Sequence, residues 1–258
     1  MKIKLFLAIL ICSGSIMAQH REYAFAHTQD GDLRVSIVQL WENGPWFADF
    51  NIGAVHRYET GGYYCWGGVI NCDPNQDYAF PNHDIQGTSE DVATTSWGNN
   101  WVIPSAEEMQ GLLNHCEYHF EVDASNGSER EQTFLVFQGK DLYAQDYILL
   151  PIAGNFWPEN GIRCVNRHGV YWTSTYGECV NPPSGCALYI NATDGTVTLD
   201  TMGCSAFEAV SVRAIFRGEV TAITEATSDY QVTKVIKDRQ VVIIKNGIEY
   251  NVVGMKLQ

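Results

Sequence analysis

The stretch Trp101-Val-Ile-Pro-Ser-Ala-Glu-Glu-Met-Gln-Gly-Leu-Leu-Asn-His-Cys116 carries the clearest helix signal in the chain. Ser105 follows Pro104 and can cap a first turn. Glu108 stands three residues on, the spacing of a capping box. Met109, Leu112, Leu113 and Cys116 then repeat at helical intervals, so one face of this helix is apolar. Upstream, the alternation Leu33-Arg-Val-Ser-Ile-Val38 reads as a strand. Gly61 to Asn100 is dominated by turn residues. Downstream come short β-rich runs at Tyr147–Pro151, Val170–Thr175, Ala187–Asn191 and Val210–Phe216. Thr193-Asp-Gly-Thr196, lying between two of them, is a hairpin signal. One clear helix thus stands among many short strand-like runs.

The chain has 258 residues, 45% of them hydrophobic and 12% aromatic, which excludes low-complexity disorder. Its formal charge is −14, and an acidic shell of that size argues against a nucleic-acid backbone as partner. The first 18 residues read as a signal peptide: Lys2 and Lys4, the apolar run Leu5–Ile11, then small residues ending at Ala18. Cleavage before Gln19 is expected. No later stretch is long and apolar enough for a membrane helix. Loss of Lys2 and Lys4 leaves 14 basic against 30 acidic residues, a net of −16.

Export implies an oxidising compartment, so the cysteines read as loop staples. The mature chain keeps Cys65, Cys72, Cys116, Cys164, Cys179, Cys186 and Cys204. Seven is odd, and the spacing does not determine the connectivity. The expected bridges are Cys65–Cys72 and Cys179–Cys186, each closing a short loop, then Cys164–Cys204, with Cys116 left free.

The character of the sequence changes near Gly218. Residues 218–230 read as a linker and 231–258 as a β-meander, with Asn246-Gly247 as its turn. From Gln231 on there are five basic and two acidic residues, an asymmetry that suggests a tail acting separately. A last hairpin docked on the acidic domain is the other reading.

The segment 19–217 can be compared with a known family. Its blocks are Asn51-Ile-Gly-Ala54, Gly62-Tyr-Tyr-Cys-Trp-Gly-Gly68, Trp97-Gly98, Trp101-Val-Ile-Pro-Ser105, Leu150-Pro-Ile-Ala-Gly154, Gly169-Val-Tyr-Trp-Thr-Ser-Thr175, Ala187-Leu-Tyr-Ile190 and Val210-Ser-Val-Arg-Ala-Ile215. In order and spacing they resemble the Fibrobacter succinogenes major paralogous domain family over roughly Trp46–Ile215. The resemblance implies an α+β, C-type-lectin-like fold of small antiparallel sheets and one or two helices, with ligand contacts on long loops. It also makes Trp66, Trp101 and Trp172 packing residues rather than a sugar platform. The family usually has Arg where Val102 stands, so an internal Arg contact is expected to be missing. The tail resembles, more loosely, the end of a type IX secretion sorting domain at Asn246-Gly247, Tyr250-Asn251 and Gly254-Met-Lys256. That implies passage to the outer surface or release.

For chemistry, Asp73, Asn75, Asp77 and Asp84 stand at positions 1, 3, 5 and 12 of a calcium-loop pattern. Tyr78 stands where that loop needs Gly, and a solvated acidic turn is the default. His115 and His119, four apart near the helix end, share the spacing of a zinc pair, without an evident third ligand. Trp157, Glu159, Asn160, Arg163, Arg167, His168, Tyr176, Glu178 and Asn181 fall on the two loops, 155–168 and 176–186, that flank Val170–Thr175. They are the candidate ligand contacts, with Trp157 able to stack on a sugar or peptide. Calcium-dependent lectins carry Glu-Pro-Asn and Trp-Asn-Asp here. Pro158-Glu159-Asn160 scrambles the first and the second is missing, so calcium-dependent sugar binding is not supported. No Gly-x-Ser-x-Gly, phosphate loop or dinucleotide fingerprint occurs.

The resulting expectation is an exported or surface-bound, non-catalytic adhesin that takes a glycan or protein, needs no cofactor and has an undetermined oligomeric state. The alternatives are a cysteine-dependent oxidase of the formylglycine-generating type and a structural subunit of a surface assembly.

Overall fold

In a computed structural model the described residues are 20–68, 80–123, 131–157, 159–180, 183–202, 208–220, 232–237, 240–245 and 248–250. The expected signal peptide, the expected turn at Asn246-Gly247 and the tail residues 251–258 lie outside them. The chain divides into two compact units, Met1–Val220 and Thr221–Gln258.

The elements of the first unit run β1 (Arg21–Thr28), β2 (Gly31–Gln39), β3 (Trp46–Ala48), α1 (Val92–Trp97), β4 (Trp101–Val102), α2 (Ala106–His115), β5 (Glu117–Asp123), β6 (Gln132–Gln138), β7 (Tyr147–Pro151), β8 (Asn155–Trp157), β9 (Gly161–Arg163), β10 (His168–Val180), β11 (Pro183–Asn191), β12 (Thr196–Asp200) and β13 (Ile215–Phe216). They form a five-stranded sheet ordered β1-β2-β3-β13-β4, two three-stranded sheets, β5-β6-β7 and β10-β11-β12, and the ribbon β8-β9. The strand ladders are antiparallel throughout. This is a β-rich α+β fold of small sheets with few helices. In the second unit β14 (Val232–Lys237), β15 (Gln240–Lys245) and β16 (Ile248–Tyr250) form a separate antiparallel meander. The pairing Lys245↔Ile248 leaves two residues for its second connection.

The decisive helix forms as its sequence requires. Ser105 accepts the Glu108 amide, and the Glu108 carboxylate accepts the Ser105 amide. Met109 and Leu112 are fully buried. They pack in a core that includes Leu135, Phe137, Ile148, Leu150, Tyr171 and Leu188. The helix ends at His115, and His119 lies on β5, paired with Val136. The two histidines therefore share no helix face. His115 stacks on Trp41, and His119 bonds Glu121 at 3.0 Å. The zinc reading fails because Cys116 turns to extended backbone before the next helical turn can form.

A second core gathers the tryptophans. Trp66, Trp101 and Trp172 are 1%, 0% and 1% exposed, so they are packing residues. Each indole N–H donates to a backbone carbonyl: Pro81, Phe25 and Tyr64 respectively, at 2.8–3.1 Å. The Trp66 face leaves no room opposite it. A Cβ on Gly185 would stand 2.1 Å from the ring, so β11 needs glycine there.

Helix α1 lies inside the stretch that reads as turns. Asp91 creates it. Its carboxylate accepts the amides of Ala93 and Thr94 at the helix start, Gly87 before it and Ile103 beyond it. The run at Val210–Phe216 forms a ladder only at Ile215–Phe216. The rest is a buried thread whose hydrogen bonds go singly to different neighbours. Val210 exchanges bonds with Tyr64, the Ser211 carbonyl takes the Trp172 amide, the Val212 carbonyl takes Ile52, and the Ala214 carbonyl takes Ala48. Arg213 sits on this thread, fully buried. Its guanidinium donates to Asn51 Oδ1, the Ala48 carbonyl and the Leu149 carbonyl at 2.7–2.9 Å. Val102, where an arginine is expected to be missing, packs in the helix core.

Candidate functional site

The segment 155–168, expected as a loop, is a short ribbon followed by a pinned turn. Trp157 pairs with Gly161 and Asn155 with Arg163. Gly154 begins it at φ +70°, where a Cβ would come within 2.0 Å of the Arg163 carbonyl. Glycine permits that approach. The turn after β9 runs through Cys164 and Asn166, both at positive φ. Asn166 is held there by three bonds: its amide to the Ile152 carbonyl, its Oδ1 from the Thr133 amide and its Nδ2 to the Glu131 carbonyl. The Cys164 carbonyl accepts both the Arg167 and His168 amides at 2.9 Å. The turn is therefore fixed to β6, and its side chains project from a rigid base.

Six of the expected contacts share this end of the molecule. Glu159, Asn160, Arg163 and Arg167 are exposed, while Trp157 and His168 are half-buried. Arg163 and Arg167 have no acidic partner among the described residues. His168 Nδ1 meets the Tyr189 hydroxyl at 3.1 Å.

Beneath them lies Glu208, which the sequence reading did not single out. It is 9% exposed, and the Asn155 amide donates to it. Burial pushes its carboxyl above the usual carboxylate range, against the opposing pull of Asn155 and of nearby His168. Asn155 Oδ1 is buried without a partner among the described residues. The available signal was an acid placed directly before the apolar run Ala209-Val210.

Tyr176 and Glu178 do not join this group. The segment 176–186 is the far end of the β10–β11 hairpin, paired to Val180↔Pro183, rather than a loop. At about 3.3 Å per residue, Tyr176 stands on the order of 25 Å along β10 from His168. The Tyr176 amide donates to Asp84 at 2.7 Å, and the Glu178 amide to the Thr201 carbonyl at 3.1 Å. Asp84 is thus engaged in holding β10. The other calcium-loop residues, Asp73, Asn75 and Asp77, lie outside the described residues, as does Asn181.

Two expected bridges are corrected. Cys164 and Cys186 are free thiols, as is the expected Cys116. Cys186 lies between the pairs Trp172↔Ala187 and Tyr176↔Gly185. Cys179 is three residues further along β10, beyond the ~7 Å Cα reach of a disulfide. Cys186 Sγ instead points at the carbonyls of Tyr176 and Thr201. Cys164 is exposed at φ +58° on the pinned turn. Its expected partner, Cys204, lies outside the described residues. Cys65 is disulfide-bonded, and its expected partner Cys72 also lies outside them.

Among the described residues no group of three or more His, Cys, Asp or Glu side chains is arranged to hold a metal ion. No helix among them is long and apolar enough to cross a membrane. Compared with protein-family models, with curated proteins and with solved structures, the chain matches none.

Proposed function

We propose that this chain is an exported, non-catalytic binding protein of a bacterial surface. It captures a glycan or a protein through the ribbon end of the first unit. A C-type-lectin-like frame carries that end, and the second unit serves as a sorting tail. One observation supports the reading above the others. Trp157, Glu159, Asn160, Arg163, Arg167 and His168 gather on one ribbon and turn, with two guanidinium groups that have no acidic partner among the described residues, on an otherwise acidic chain. An aromatic edge beside two such arginines suits an acidic or hydroxyl-rich partner.

The test exposes the folded, full-length mature protein to glycan arrays and to surface proteins from bacteria and host cells. The same experiment is run with Trp157→Ala, Arg163→Ala and Arg167→Ala combined. Capture by the native protein and its loss in the triple variant support the proposal. Silence of every ligand while circular dichroism reports a folded chain overturns it.

A further inference from the structure

A second concavity is lined by none of the ribbon residues. It is an open cleft of about 790 Å³ between the β1–β2 turn, the turn at Ile52–Val55 and the end of α1. That volume falls within the ~300–1,000 Å³ range of small-ligand sites. Ile52 and Trp97 form apolar walls and are almost fully buried.

Tyr64 reaches into the same cleft. Its backbone is fixed on both sides, exchanging bonds with Val210 at 2.9 and 3.0 Å. Its side chain is 95% buried, since the residue is 5% exposed. Yet its hydroxyl has no hydrogen-bond partner among the described residues. The hydroxyl stands over Gly53, at φ +81°, where a Cβ would lie 3.1 Å from the oxygen. The ring is packed away while the residue lines the open cleft, so a ligand oxygen there can take the hydroxyl's hydrogen bond. Burial lifts the phenol to about 12, so it stays neutral and can donate.

The other polar groups at the cleft are also unspent. The Gln29 amide, the Asp30 carboxylate and the Ser96 hydroxyl make no side-chain hydrogen bond or ion pair with another described residue. Asp32 is already paired with His27 at 2.8 Å. No lysine or arginine among the described residues lines the cleft. Carboxylates without basic partners disfavour an anion. A single uncommitted carboxylate among neutral donors and acceptors does not select a cation. Donors and acceptors over apolar walls match a ring bearing several hydroxyls.

We propose that this cleft is a second binding site, taking an uncharged saccharide whose hydroxyls pair with Tyr64, Asp30, Gln29 and Ser96. It is independent of the ribbon end.

The test titrates the full-length mature protein by calorimetry and by NMR. The uncharged probes are methyl glycosides of glucose, mannose, galactose and N-acetylglucosamine, with their short oligosaccharides. Glucuronate and spermidine are the charged controls. At least one uncharged probe is expected to bind and to shift Trp97. Tyr64→Phe is expected to weaken it by about tenfold, the worth of one hydrogen bond, with thermal unfolding unchanged or raised. Ser96→Ala, at a half-buried site, checks the same contact set without touching the core. The combined ribbon variants leave this binding intact. Silence of all uncharged probes, preference for a charged control, or binding that survives Tyr64→Phe and Asp30→Asn together overturns the proposal. Saccharide binding lost only in the ribbon variants overturns this site while supporting the other.

Discussion

Replacing Gly185 with alanine tests how tightly the tryptophan core is closed. The added Cβ would stand 2.1, 2.3 and 2.5 Å from three carbons of the Trp66 ring. Real Cβ atoms do not approach so closely, so something must move. The ring has little freedom. Its N–H donates to Pro81 at 3.1 Å, and Trp172 lies against it at 5.6 Å between centroids. The backbone is held too, by pairing of Gly185 with Tyr176. Overpacking of a closed core costs typically ~1–3 kcal/mol and occasionally more, and a ring locked on both sides belongs at the upper end. About 3 kcal/mol lowers Tm by roughly 6–12 °C at this chain size, using ~2–4 °C per kcal/mol. Gly195→Ala is the control. It sits at φ +80° with nothing within 4 Å, so only backbone strain of about 1 kcal/mol is expected. Calorimetric unfolding of the three proteins decides the matter. A Gly185→Ala variant as stable as the native protein, or no worse than Gly195→Ala, would refute the packing argument.

Asp91→Ala removes a carboxylate that accepts four backbone amides, and is expected to cost about 2–4 kcal/mol by urea unfolding, more than the ~1 kcal/mol of an ordinary cap; a loss under 1 kcal/mol would contradict that role. Ser105→Ala breaks only the capping box of α2 and is expected to cost about 1 kcal/mol in the same assay. For Glu208, burial raises the folded carboxyl above its unfolded value. The folded state therefore favours the protonated form, so this group's contribution to stability is greatest at low pH. It declines as pH rises through the window from the ordinary value near 4.3 up to the raised one. Glu208→Gln is expected to remove that decline from the difference in stability against pH; an unchanged profile would contradict it. Cys164, exposed and free, is expected to react with a thiol reagent in the native protein. Cys116, whose thiol burial pushes up to about 12, reacts only on unfolding. A fast native phase that persists in Cys164→Ser and disappears in Cys116→Ser would reverse that assignment.

Local signals in the sequence were legible where one short stretch determines the outcome. The capping box at Ser105 and Glu108 gave α2, and alternation gave β2. Tyr147–Pro151 appears as β7 with the same ends, and Thr193–Thr196 lies at the β11–β12 turn. Tryptophans placed by pattern and resemblance are core residues. What was not legible depends on distant partners. Helix α1 exists because Asp91 also reaches Ile103, a bond between segments that no local window contains. The thread at 210–214 alternates like a strand, but its hydrogen bonds go to different neighbours, so it forms no long ladder. His115 and His119 are four apart, yet the helix stops between them. The same holds for the candidate site. Contiguous residues from Trp157 to His168 remain together, while Tyr176 and Glu178 separate because β10 is one long strand rather than a short core flanked by loops. Glu208 and Tyr64 gain their chemistry from burial, which composition alone does not reveal.

The most direct measurement is hydrogen–deuterium exchange of the full-length mature protein with and without a ligand captured from the arrays. The proposed function predicts new protection centred on 155–168. Protection confined to Gln29–Leu33 and Ser96, or none in the first unit at all, would contradict it.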